Sequence, residues 1–91
     1  MAVLEIDPDA DDEYERLRSQ DPQVSRAVDR VFDDLEQEPH KPYLMRSYLR
    51  PRGIYKVLVP TAVGEPDHMI LRDMEGGIVV VRYLGPNFLN N

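Results

Sequence analysis

Behind Asp21-Pro22 the apolar residues Val24, Ala27, Val28, Val31, Phe32 and Leu35 recur at alternating steps of three and one. That spacing lays all six on one face of a 3.6-residue helix. A stripe of this kind is stable only when a second layer of structure covers it, so whatever follows must supply that layer. Asp before Pro is a helix start: the carboxylate accepts from an early backbone N–H, and Pro suits the first helical position. Pro39 and Pro42 end the helix. Its other side, Arg26, Asp29, Arg30, Asp33 and Asp34, is expected to be solvated.

The same start signal stands earlier, at Asp7-Pro8. It predicts a first helix from Pro8 to Arg18 with a thinner stripe, Ala10, Tyr14 and Leu17. Asp9, Asp11, Asp12 and Glu13 sit where the helix dipole favours negative charge, and Arg16 and Arg18 sit toward the other end. Ala2 to Ile6 reads as a short opening strand. After Pro42 the pattern changes to strands at Tyr43–Arg50, Ile54–Val59, Asp67–Met74 and Gly77–Leu84, with a loop at Gly64-Glu65-Pro66 and a tight turn at Glu75-Gly76. Ile78-Val79-Val80-Val81 is apolar on both parities and belongs inside the sheet. The expected fold is α+β over a single domain, residues 1–91. Its order is β-α-α-β-β-β-β, with two helices on one face of a mostly antiparallel sheet.

Ninety-one residues leave room for one core. No apolar run approaches the roughly 20 residues needed to cross a bilayer. Met1 to Ile6 turns acidic too soon for a signal peptide. With no cysteine, disulfides, thiolate nucleophiles and Cys-zinc sites are excluded. The cytoplasm is the expected location. The net charge of −6 argues at first against nucleic acid, but it is unevenly placed. Residues 1–38 hold 13 acidic and 4 basic side chains, whereas residues 39–91 hold 4 and 7. Lys41, Arg46, Arg50, Arg52 and Lys56 follow one another without an intervening Asp or Glu. Long-range repulsion from the acidic half disfavours broad, nonspecific nucleic-acid binding and leaves a local anionic partner open.

Strand parity suggests where those cations go. One set, Tyr55, Val57, Val59, Met69, Leu71, Val79, Val81 and Tyr83, is mostly apolar and is expected to meet the helices. The complementary set holds Arg46, Tyr48, Arg50, Lys56, His68, Arg72 and Arg82. On the assumption of a common register it forms one basic face opposite the helices, with Arg52 beside it. Arg makes bidentate contacts to phosphate or carboxylate, and Tyr stacks on bases. Metal-free RNA cleavage needs a base, a cation for the developing charge and a proton donor, roles that Lys, Arg, Tyr and His can share. Exposed strands also carry Lys and Arg merely to stay soluble. His40 and His68 are too isolated for a metal site, and the Asp9–Glu13 acids lack the spacing of a calcium loop. Ser19, Ser25 and Ser47 lie in no nucleophile elbow, and Gly76-Gly77 in no phosphate loop. No metal and no cofactor are expected.

Taken in order, these elements resemble the RelE/ParE superfamily, the toxin subunits of bacterial type II toxin–antitoxin pairs. The resemblance spans nearly the whole chain. It rests on the short first strand, the two helices, Leu35-Glu36-Gln37-Glu38-Pro39, the strand Gly53-Ile54-Tyr55-Lys56-Val57-Leu58-Val59 and the final strand Gly77 to Gly85. It implies a cognate antitoxin as partner, and as target either mRNA on the ribosome, cleaved by basic and aromatic residues of the sheet, or DNA gyrase. By position Lys56 matches the family's basic residue in its Gly-x-Tyr-Arg/Lys strand, and Arg82 is a basic residue of the last strand. Together with Arg72 they form the catalytic candidates; Arg46, Tyr48, Arg50, Arg52 and His68 are the anion- or partner-binding ones. Elsewhere the sequence departs from the family pattern. Met69 stands where an Arg is common and Arg72 where a Tyr is. Pro86-Asn87 replaces a His-Arg pair, and Phe88 replaces a terminal Tyr.

Two other functions fit the same residues. One is a non-catalytic binding module whose basic face grips an acidic protein segment. The other is self-association, a homodimer in which the acidic helical half of one copy meets the basic strands of another.

Overall fold

The computed structural model describes residues 2–49, 53–60 and 68–87. Strand β1 (Val3–Ile6) leads into helices α1 (Pro8–Gln20) and α2 (Pro22–Gln37). A one-turn 3₁₀ segment, Pro42–Leu44, precedes strands β2 (Ser47–Leu49), β3 (Ile54–Leu58), β4 (His68–Glu75) and β5 (Ile78–Pro86). The sheet order is β1-β5-β4-β3-β2. Every neighbouring pair is antiparallel except β1 with β5, which run parallel. This is the expected α+β order, with β5 inside the sheet as its doubly apolar sequence requires.

Helix α2 buries Val24, Ala27, Val28, Val31, Phe32 and Leu35, the whole predicted stripe. They share one core with Ala10 and Leu17 of α1, Leu44, and Val57, Val59, Ile70, Val79, Val81 and Leu84 from the sheet. Tyr14 joins the two helices, its ring 5.6 Å from that of Phe32. The two Asp-Pro starts behave differently. Asp21 caps α2, its carboxylate accepting from the Val24 N–H at 3.3 Å, whereas Asp7 makes no side-chain cap bond to α1. Asp7 instead faces Arg82, with 3.6 Å between the charged atoms.

The largest departure from the expected elements is at Tyr43. Pro42 fixes a helical φ and starts a 3₁₀ turn, so the strand predicted from Tyr43 begins only at Ser47. The β4–β5 hairpin turns on Gly76 and Gly77 (φ 55° and 82°), one residue later than Glu75-Gly76. Two consecutive positive φ values between the paired Glu75 and Ile78 make a type I′ turn, which suits the right-handed twist of the flanking strands. The Gly64-Glu65-Pro66 loop lies outside the described residues.

Candidate functional site

Cross-strand partners share a face of the sheet, so the register settles the expected basic face. Tyr48 pairs with Tyr55, Tyr55 with Arg72, and Arg72 with Val81, which is in the helical core. His68 lies two residues before Ile70, another core residue, on the same strand. Tyr48, His68 and Arg72 are therefore on the face that carries the helices. Lys56 pairs with Ser47 and Leu71, and Leu71 with Tyr83, on the far face. The single basic face is thus a misreading: Lys56 and Arg72 point to opposite sides. In β4 it is Ile70, not Met69 and Leu71, that meets the helices. In β5 it is Leu84, not Tyr83.

The physical reason is a β-bulge. Arg72 stands opposite Val81 and Leu71 opposite Tyr83, which leaves Arg82 as an extra residue between them. Alternation is interrupted at that point. Arg82 turns to the far face, where its Nε donates to Asp73 Oδ2 at 3.0 Å and its other arm meets Asp7. The hydrogen bond to Asp73 raises the guanidinium's already high pKa.

Each catalytic candidate thus has its own setting. Lys56 is 2% exposed and Arg72 1% exposed. Arg72 reaches beneath the chain that leaves α2: its Nη2 donates to the carbonyl of Pro39 at 2.9 Å and to that of Leu44 at 3.0 Å. Its Nε has no hydrogen-bond partner among the described residues. Burial lowers its pKa, offset in part by attraction to Tyr55 and Asp73. An arginine that holds two main-chain carbonyls is a strut of the fold, and the sheet separates it from Lys56 and Arg82. The three do not converge on one phosphate.

Of the binding candidates, Tyr48 is half exposed on β2, its ring 4.9 Å from that of Tyr55. With His40, Gly53, Tyr55 and Arg72 it lines a cavity of about 290 Å³. Arg46 lies elsewhere, on a larger cleft of about 490 Å³ between α2 and the β2–β3 edge. Arg30, Asp34, Tyr43, Ser47, Leu58 and Pro60 complete that cleft. His68 begins β4, half buried. Arg50, Arg52 and Phe88 fall outside the described residues. Among the described residues no three His, Cys, Asp or Glu gather as metal ligands, and no helix is long and apolar enough to cross a membrane.

Sequence reasoning missed the cleft because its key acid looked like a solvated helix residue. Asp34 is half buried: it accepts from Tyr43 Oη at 2.5 Å and from Lys41 Nζ at 3.0 Å. The hydroxyl and the ammonium hold its carboxyl below the usual range, while burial and the carboxylate push the Tyr43 phenol up. The only signal was proximity in sequence, an acid on the last turns of α2 followed by Lys41-Pro42-Tyr43.

No protein-family model and no curated protein matches the chain. Solved structures do match it along nearly its whole length. A YoeB/ParE toxin from Agrobacterium tumefaciens superposes with a TM-score of 0.74 at 14% identity, covering 94% of this chain and 99% of that one. The YoeB dimer from Staphylococcus aureus gives 0.71 at 10%, covering 96% and 98%. A chain of the YoeB–YefM complex from the same organism gives 0.70 at 8%, covering 97% and 99%. This chain has the fold of the YoeB and ParE toxins, the fold that its order of elements resembled in sequence.

Proposed function

We propose that this chain is the toxin-type subunit of a type II toxin–antitoxin pair, acting in the cytoplasm and held by a cognate antitoxin. The observation that carries the reading is coverage: nearly every residue of this chain and of the YoeB structures takes part in one superposition. One of those structures is a complex with YefM, and another is a dimer. The targets that go with the reading are mRNA on the ribosome or DNA gyrase. The test is induction of the full chain alone in a bacterial host. Growth should stop, and co-expression of a cognate antitoxin, sought as a short reading frame beside the gene, should restore it. Transcript cleavage mapping and a supercoiling assay then separate the two targets. Unaltered growth at verified soluble expression would overturn the proposal.

A second reading is favoured by the division of Lys56, Arg72 and Arg82 between the two faces of the sheet. On that reading the chain is a non-catalytic module of the same fold that grips an acidic protein segment. Stable, salt-sensitive capture of an acidic protein partner, without growth arrest, RNA cleavage or gyrase inhibition, distinguishes it.

A further inference from the structure

Strand β3 outruns its neighbour. Its ladder with β2 ends where Ser47 pairs with Lys56, because the chain before Ser47 has folded into the 3₁₀ turn and the Met45 N–H is bonded to Pro42. The Val59 N–H donates to the His68 carbonyl at 3.1 Å, on the β4 side. Backbone groups alternate sides along a strand, so the amide and carbonyl of Leu58 point the other way, to the side that β2 has left. The cleft of about 490 Å³ lies there.

Its lining is uneven in a useful way. Leu58, one of the three large apolar residues exposed among those described, and Pro60 provide an apolar floor. Arg30 from α2 and Arg46 from the approach to β2 stand on its walls, and neither meets a carboxylate among the described residues. The one acid present, Asp34, is already held by Lys41 and Tyr43. A chain of net charge −6 thus keeps a locally cationic, apolar-floored cleft beside a strand edge left unpaired among the described residues.

We infer that this cleft receives an extended acidic segment of a partner protein. The segment pairs its backbone with Leu58, sets an aliphatic or aromatic side chain on Leu58 and Pro60, and places carboxylates against Arg30 and Arg46. Strand addition supplies affinity through main-chain bonds and specificity through alternate side chains, and a segment of alternating acidic and apolar residues fits both. The inference rests on the partner-binding part of the proposed function, and it names where and by what chemistry that partner is held.

The test uses the intact chain and a dye-labelled peptide of alternating glutamate and valine, followed by fluorescence anisotropy. The double variant Arg30→Glu/Arg46→Glu should weaken binding roughly tenfold or more, as reversal of two contacting charges does. Leu58→Ser should weaken it at unchanged salt dependence, and the lysine counterpart of the peptide should not bind. Circular dichroism of both variants should match the parent, because Arg30, Arg46 and Leu58 are all exposed. Equal affinity of the charge-reversed variant for the glutamate peptide overturns the inference. So does tighter binding of a short U-rich RNA that is lost in the same variant, which would make the cleft a nucleic-acid site. Failure of the two proposals is distinguishable. Growth arrest relieved by a partner that binds the charge-reversed variant as well as the parent sinks the cleft alone. Peptide binding with these dependences, in a chain that never affects growth, sinks the toxin reading alone.

Discussion

The guanidinium carbon of Arg72 lies 4.7 Å from the centre of the Tyr55 ring, directly across the β3–β4 ladder. The contact places a buried cation on an aromatic face while its Nη2 spans the carbonyls of Pro39 and Leu44. Arg72→Ala removes the donor from two carbonyls and leaves a hollow beside Tyr55. Losses of this kind cost about 3 kcal/mol, which for a domain of this size lowers the melting temperature by on the order of 15 °C. Urea denaturation followed by circular dichroism measures it. Arg72→Lys, which keeps a donor but loses the planar fork, should fall between the two. Any loss of activity in Arg72→Ala must therefore be read against its folded fraction.

Arg82→Ala should behave in the opposite way. Its side chain is 40% exposed and that of Asp7 38%, against 16% for Asp73, so screening at the guanidinium leaves these pairs with only a modest net effect. The midpoint of urea denaturation should shift far less than in Arg72→Ala. Loss of growth arrest in this variant at little-changed stability would assign Arg82 a functional role; a shift as large as that of Arg72→Ala would show that the bulge depends on its ion pairs.

Acid stability should depend on Asp34. Its folded-state pKa is held below the unfolded value by the Tyr43 hydroxyl and by Lys41. Its contribution is therefore complete above the unfolded carboxyl pKa of about 4 and is lost as the pH falls through the folded value. Tyr43→Phe should raise the pH midpoint of acid unfolding, because the first of those two donors is gone. A midpoint that does not move would show that Lys41 alone holds the carboxylate.

The alkaline limb should depend on Tyr14, whose hydroxyl donates to Asp29 and whose pKa is pushed up to about 12, first by that bond and then by burial. A raised folded pKa means that the contribution is complete below about 10, the unfolded value, and is lost as the pH rises toward 12. Absorbance titration at the phenolate band, with Asp29→Asn as the comparison, should bring one tyrosine back toward its ordinary range. Five unmoved tyrosine titrations would refute the bond.

The hairpin turn is equally open to test. Gly76 and Gly77 both hold positive φ, and a Cβ at either meets nothing within 4 Å. The cost of substitution is therefore conformational alone. Gly77→Ala should destabilise by about 1 kcal/mol and Gly76→Asn by less, since asparagine tolerates that region.

How much of this was visible beforehand differs by layer. The helices were, because α2 repeats its apolar residues at helical spacing and every one of the six is buried. The identity and order of the strands were also visible, apart from the 3₁₀ turn that Pro42 starts. What the residues of one strand do not encode is which neighbour they oppose. Met69, Ile70 and Leu71 are all apolar, so β4 offers no parity signal, and only the register shows that Ile70 is the one that meets the helices. The bulge at Arg82 then changed the parity of β5 as well. Arg72 looked like a surface cation because its partners are carbonyls of Pro39 and Leu44, about thirty positions away and carrying no side-chain signature. The cleft was hidden for a related reason: Arg30, Arg46 and Leu58 come from three segments that only the completed sheet brings together.

The bulge also makes one residue removable. Val79 and Val81 face the helices before it and Leu84 faces them after it, so Arg82 is the only position in β5 that stands outside the two-residue rhythm. Excising Arg82 would leave Val81, Tyr83 and Leu84 in strict alternation with their faces unchanged. Excising Val80, which lies in the regular run before the bulge, would turn part of the strand inside out. A gene under selection could drop one codon at this bulge, and not in the regular run before it, without repacking the core.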